Sequence, residues 1–214
     1  MKNVIGLGGV ARAGKDTFAA ILEMKLQQAG KTVKKIALAA PLKQHCDKFL
    51  KDNLGISAFT QVSDEKIIIR PFLVWYGDAQ RKLTQGKFWT NLASGEIEST
   101  HYDYYIITDV RYDTYPVDEL QWLKDEWKGT LCHISKYMWK SQSQQYDDIS
   151  GFVHYKEFVK PANEHEEIND PKIKKAADYR VEWPHIDDVD PNKLLWNPEL
   201  NEYVDKFMKE CGVA

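Results

Sequence analysis

The stretch GGVARAGKDTFAAIL, Gly8 to Leu22, decides the fold. Gly9, Gly14 and Lys15 have the Gly-x4-Gly-Lys spacing of a phosphate-binding P-loop. Such a loop needs glycine so that its backbone can approach phosphate oxygens. Its successive N–H groups and the following helix N-terminus then attract the anion. Gly9, Ala13, Gly14, Lys15, Asp16 and Thr17 are the expected ATP-phosphate contacts, with Arg12 inside the loop reaching for the transferring group. The residue after the lysine ordinarily offers magnesium a hydroxyl, but here it is Asp16, with Thr17 one step later. A carboxylate ~4 Å from one phosphate charge costs a few kcal/mol at an effective dielectric of about 20. Magnesium between the two offsets that cost. Thr17 then supplies the hydroxyl, and Asp16 holds the metal through water or orients the acceptor. A plain helix-start carboxylate is the alternative.

Working outward, NVIGL before the loop reads as a buried strand. The residues after it carry Phe18, Ile21, Leu22 and Leu26 at helical spacing and stop at Gly30. TVKKIALA predicts a second strand, and PLKQHCDKFLKDNLG a helix with Pro41 at its first position. This β-loop-α-β-α rhythm predicts an α/β fold, a parallel sheet flanked by helices. Ile56 to Lys66 reads as loop. PFLVWYGDAQRKL and KFWTNLASGEIE read as helices parted near Gly86, so residues 55–100 form a helical region for the acceptor. DYYIITDVR is a strand, PVDELQWLKDEWKG an amphipathic helix, and TLCHIS a fourth strand. Residues 137–175 are polar and aromatic with weak periodicity, which predicts an insertion or lid on a single domain spanning 1–214. ADYRVEW predicts an edge strand and PELNEYVDKFMKE a last helix.

The 214 residues suffice for one well-buried domain, and 29% charged residues fit a globular chain. The formal net charge of −3 argues against a broad basic surface for duplex DNA, so a nucleic-acid partner is not expected. Cys46, Cys132 and Cys211 are odd in number and far apart, which predicts reduced thiols in a cytoplasmic protein rather than a disulfide frame or zinc site. The start reads as a strand rather than a leader. No apolar run has the length of a membrane span.

A second constellation lies further along. The strand YYIITD closes on Asp109, and a carboxylate there borders the ligand crevice of a parallel sheet. Arg111 follows, placed to clamp an anionic acceptor. Only five of the basic residues are arginines, and Arg81 is another candidate for an acceptor phosphate. Lys43 stands at a helix start, and Trp89 offers a ring for a base.

The motifs GVARAGKDT, APLK, YGDAQR, FW, ITDVRY and HEEINDP…ADYRV together resemble the bacteriophage deoxynucleoside monophosphate kinases, over Gly9 to about Val181. In that family an aspartate and then a threonine follow the loop lysine. The resemblance implies that Lys15 and Thr17 contact phosphate and magnesium, and that Asp16 is a catalytic carboxylate near the metal. With Arg12 added from the reading of the loop, Lys15, Asp16, Arg12 and Arg111 are the expected catalytic set. It also implies that Trp89, Asp109 and Arg111 form the acceptor pocket. The family's acid about four residues after the arginine is Tyr115 here; Asp118 and Glu119 come next, and Glu119 is taken as its replacement. Where the family often has an arginine after the fourth strand, this chain has Lys136.

The expected activity is transfer of the ATP γ-phosphoryl group to a 2′-deoxynucleoside 5′-monophosphate, with Mg2+ as cofactor and ATP and the monophosphate as partners, in the host cytoplasm if the chain is viral. A homodimer is left open. Two other readings stand: a P-loop kinase acting on a hydroxyl, such as a hydroxymethylated pyrimidine, free or in DNA, and a nucleotide-binding protein without transfer activity.

Overall fold

The computed structural model describes residues 2–146, 149–186 and 190–213. Residues 147 and 148, inside the expected lid, and 187–189, in the proline-punctuated stretch before the last helix, lie outside them. Five strands pair in parallel in the order β2 (Val33–Ile36), β3 (Tyr104–Val110), β1 (Asn3–Gly8), β4 (Thr130–Tyr146) and β6 (Tyr179–Pro184). A sixth, β5 (Ile149–Phe158), runs antiparallel to β4. Tyr137 pairs with Phe158 of β5 and with Pro184 of β6, so those two strands flank β4 on opposite sides.

The expectation of a parallel sheet therefore needs correction: the sheet is mixed. β4 runs on past its parallel neighbours and the chain returns at once as β5. A strand that returns without a crossover can pair only antiparallel.

Strand alternation sets the layers. Ile5, Leu7, Tyr104, Ile106, Cys132, Ile134, Val181 and Trp183 face one side. There they meet Phe18, Ile21 and Leu22 of α1 (Lys15–Gln28) and Val204 and Phe207 of α8 (Pro198–Cys211). Val4, Tyr105, Ile107 and Leu131 face the other, against Ala93 and Ile97 of α4 (Lys87–Ser99), Leu123, and Ile173 of α6 (Glu164–Ala176). Each such side chain, fully buried, contributes about 1.5–3 kcal/mol. A third cluster, Cys46, Leu50, Ala58 and Ile69, joins α2 (Ala39–Leu54) to α3 (Ser63–Thr84) beside the sheet. No described helix is long and apolar enough to cross a membrane.

Several boundaries differ from the sequence expectations. β2 stops at Ile36 and α2 starts at Ala39, because Asp109 accepts the N–H groups of Leu38 (2.7 Å) and Ala39 (3.0 Å) and so caps the helix from another strand. Pro41 then falls within the first turn, where a missing N–H costs nothing. α3 begins at Ser63, inside the expected loop, with Asp64 and Glu65 favouring its N-terminus. It continues through Pro71, which lies on an exposed face. The expected helix over 116–129 shrinks to α5 (Glu119–Gln121) and a π-helical turn (Trp122–Glu126). The wider turn lets Leu120, Trp122 and Leu123 all be buried. The expected lid is regular structure: the outer half of β4, β5 and then α6. α7 (Pro191–Leu195) was not foreseen.

Candidate functional site

The Gly9–Gly14 loop joins β1 to α1, and its backbone bends in ways few residues permit. Gly9 and Gly14 have φ of 129° and 93°, and Arg12, at 66°, sits in the left-handed region. A Cβ on Gly9 would collide with the Ile134 carbonyl oxygen, and one on Gly14 with the Trp183 ring. Trp183 also donates its indole N–H to the Ala13 carbonyl at 2.8 Å. The loop is thus braced from β4 and β6.

Lys15 opens α1 but turns back. Its Nζ donates to the carbonyls of Gly9 (2.6 Å) and Val10 (2.8 Å), and the residue is 7% exposed. Burial, aided by the Arg111 charge, lowers its pKa to about 8, although Glu166, Asp109 and Asp16 pull the other way. To meet a phosphate the ammonium must leave those two carbonyls.

A cavity of about 460 Å3 adjoins the loop, lined among others by Arg12, Gly14, Lys15, Asp16, Thr17, Lys43, Asp109, Arg111 and Lys136. Five of these are cationic and two are carboxylates, so the space favours an anion. Lys136 is held below its usual pKa by burial and by Arg12. Gly9 and Ala13 do not line it: Gly9 supplies a carbonyl to Lys15, and Ala13 is wholly buried.

A second cavity, about 330 Å3, lies among α2, α3 and the exit of β3. Lys43, Arg81, Trp89, Asp109, Arg111 and Glu119 all line it, so the six expected acceptor residues do come together. Apolar walls come from Leu42, Ile69, Leu73 and Val74. The two cavities share Ala39, Lys43, Asp109 and Arg111.

The individual residues are more constrained than their spacing suggested. Arg81 is 4% exposed and paired with Asp118 at 2.6 Å, with Glu119 at 3.6 Å. Its guanidinium lies 3.1 Å over the Tyr112 ring, so its charge is already met. Glu119 accepts the N–H groups of Arg111 (2.6 Å) and Tyr112 (3.1 Å). Burial, opposed by Arg81 and reinforced by Asp118, pushes its carboxyl up to about 7. Trp89 is buried and donates to the Gly77 carbonyl at 3.3 Å, with the Phe88 ring edge-on at 4.7 Å. Both Asp109 oxygens are engaged with the start of α2. Arg111 is the freer cation: Nη1 bonds Glu166 at 3.1 Å, and its buried Nε has no hydrogen-bond partner among the described residues.

Three residues were missed in the sequence. Glu166 is almost fully buried; its Oε2 accepts the N–H of Ala11 (3.1 Å) and of Ala162 (3.0 Å), and its Oε1 holds Arg111. It ties the loop, the β3 exit and α6 together. Asp118, wholly buried, neutralises Arg81 and accepts three backbone N–H groups, from Thr114, Tyr115 and Glu119. Trp183 shapes the loop. For Glu166 a signal existed: Asn163 followed three residues later by Glu reads as a helix cap. Asn163 does cap Glu166 N–H at 3.0 Å, but the acid turns to remote partners.

Asp16 is exposed on the loop cavity beside Thr17. A carboxylate and a hydroxyl on the wall of this cationic cavity fit Mg2+, which is held by few protein oxygens, substrate phosphates and water. No family model matches the chain, and comparison with curated proteins finds no match.

Proposed function

We propose that the chain is an ATP-dependent nucleotide kinase that converts a 2′-deoxynucleoside 5′-monophosphate to the diphosphate, releasing ADP. The observation that carries this reading is the junction of two cavities: a cationic one at a glycine-rich loop and a half-apolar one, meeting at Lys43, Asp109 and Arg111. A donor triphosphate lies along the loop, and an acceptor base lies among the apolar walls. An acceptor phosphate oxygen attacks the γ-phosphorus, and the bond from that phosphorus to the β–γ bridging oxygen breaks. Lys15, released from Gly9 and Val10, and Arg12 offset charge on the transferring group. Arg111 and Lys43, reachable from both sides, hold donor and acceptor oxygens in line. Asp16 and Thr17 would hold Mg2+, which neutralises phosphate charge.

The acceptor phosphate has a second pKa near 6 and needs no general base at neutral pH. A hydroxyl acceptor does need one. Asp109 is committed to two backbone N–H groups, which favours the phosphate acceptor and leaves the hydroxyl reading dependent on Asp16 alone. Incubation with ATP, magnesium and each common or modified monophosphate, with product masses read directly, decides. A diphosphate is expected. A new phosphomonoester on a hydroxyl would transfer the assignment to the second reading, and ATP binding with every acceptor unchanged would leave a binding protein. In Arg111→Ala the acceptor KM should rise tenfold to a hundredfold, for one charge-assisted contact worth roughly 1.5–3 kcal/mol, with a smaller rise in the ATP KM.

A further inference from the structure

Helix α6 reaches both cavities from its first turn, where Glu166 is almost fully buried. Oε2 of Glu166 accepts the N–H of Ala11 at 3.1 Å, and Ala11 lines the loop cavity. Oε1 accepts from Nη1 of Arg111, which lines both cavities. One carboxylate therefore joins the wall of the first space to a cation shared by both. Beside it, Nε2 of His165 lies 3.1 Å from Oδ2 of Asp78, on the wall of the second cavity.

The carboxylate has little freedom of its own. The N–H of Ala162 also donates to Oε2 at 3.0 Å, and Asn163 caps the N–H of Glu166 at 3.0 Å. Further along α6, Oδ1 of Asn169 accepts the N–H of Asp113 at 3.1 Å, and Oδ1 of Asp170 is hydrogen-bonded to Nε2 of His133 at 3.0 Å. The helix is thus fixed to the exit of β3 and to β4. A buried carboxylate oxygen without a partner is costly, so Oε1 and Oε2 keep their partners together. Whatever restrains Ala11 then restrains Arg111, and the reverse. Arg111 still has a donor to aim, because its buried Nε has no hydrogen-bond partner among the described residues.

We propose that Glu166 is a positioning residue that couples the two sites, so that a triphosphate on the loop tightens the hold on the acceptor monophosphate. The inference rests on the kinase reading and adds to it that donor and acceptor bind cooperatively. A triphosphate held by the loop amides restrains Ala11. Oε2 then restrains the carboxylate, and Oε1 holds the guanidinium in one orientation for the acceptor phosphate. The sign of the effect sets it apart. Two neighbouring anions repel, so without such a device filling one cavity weakens binding in the other. A continuous chain of hydrogen bonds is a physical route to the opposite sign. By linkage the acceptor tightens the donor by the same factor.

Calorimetric titration of the full chain with magnesium tests it. The donor probe is the β,γ-imido analogue of ATP, and the acceptor probes are the common 2′-deoxynucleoside 5′-monophosphates. In wild type the analogue should tighten acceptor binding about tenfold, within the range usual for coupled sites. Glu166→Gln keeps the size but turns an amide donor toward Arg111. In that variant the donor analogue alone should bind nearly as in wild type, the acceptor alone should weaken because Arg111 loses its brace, and the coupling factor should fall to about one. Glu166→Asp keeps the charge but is one methylene short of spanning Ala11 and Arg111, and it should lose the coupling too. General loosening of the fold would weaken each ligand alone and leave the factor unchanged. Both probes binding to wild type without mutual tightening, or a Glu166→Gln chain that keeps the wild-type factor, overturns the coupling and leaves the kinase reading standing. If neither probe binds wild type, the kinase reading falls and the coupling with it. Should both variants fail to fold, the wild-type factor still decides: tightening supports the proposal, and a factor of one or below overturns it.

Discussion

At neutral pH Lys15 is charged in a place that has lowered its pKa from 10.5 to about 8. That difference corresponds to about 3 kcal/mol of unfavourable charge burial. Lys15→Met keeps the apolar stem and removes the ammonium. It also strips a donor from the Gly9 and Val10 carbonyls, at about 1–3 kcal/mol. The two effects oppose, so at pH 7 the variant should match wild type within about 1 kcal/mol, while phosphoryl transfer is abolished. The pH dependence separates them. Between pH 8 and 10.5 the unfolded chain still holds the Lys15 proton and the native protein has lost it. Stability rises with pH wherever the unfolded state binds more protons. Wild type should therefore gain about 3 kcal/mol on the variant across that window, read by urea unfolding at a series of pH values. A bound triphosphate would restore the charge, so binding near pH 8.5 should take up a proton, measurable by calorimetry in buffers of different ionisation enthalpy. Parallel stability curves for the two proteins would mean that Lys15 titrates normally and does not lie in the buried, cationic setting described.

Glu166→Gln should cost about 1–3 kcal/mol, because the amide faces Arg111 with a donor where a carboxylate stood; the acceptor KM should rise more than the ATP KM, and equal rises would limit Glu166 to general support of the loop. Gly14→Ala should lose about 3 kcal/mol or more of stability, since φ is positive and the added methyl meets the Trp183 ring; a melting temperature within about 2 °C of wild type would refute that packing. Glu119→Gln tests the buried carboxyl. With its native pKa raised to about 7 from 4.5, wild type should lose stability relative to the variant as pH rises through that window, and an opposite slope would show that Glu119 is held ionised.

The parts of the molecule legible in the sequence are those whose cause is local. The loop lies within nine residues of Gly9, and β1, α1 and β3 each bury a face or a whole run that leaves a period or an apolar block. The β4–β5 hairpin left no period for the opposite reason. From Met138 to Gln142 no residue is buried, so neither face had to be apolar. Asp109 was expected at the crevice from its place at the end of a strand. Its grip on Leu38 and Ala39 was not, because that contact joins residues 71 and 70 positions apart. The buried acids follow the same logic more strictly. A carboxylate can be buried only where donors converge on it. One donor to Glu166, Ala162, is local, but the other two come from Arg111 and Ala11, 55 and 155 positions away, with no shared pattern in the chain. Arg81 shows the consequence for function. As a lone arginine it read as a phosphate clamp, yet Asp118, 37 residues on, already meets its charge. Of the cations shared by both cavities, Arg111 retains a buried donor without a partner among the described residues. On the proposed kinase reading, the weight of acceptor recognition shifts from Arg81 to Arg111, a distinction that rests on pairing in space.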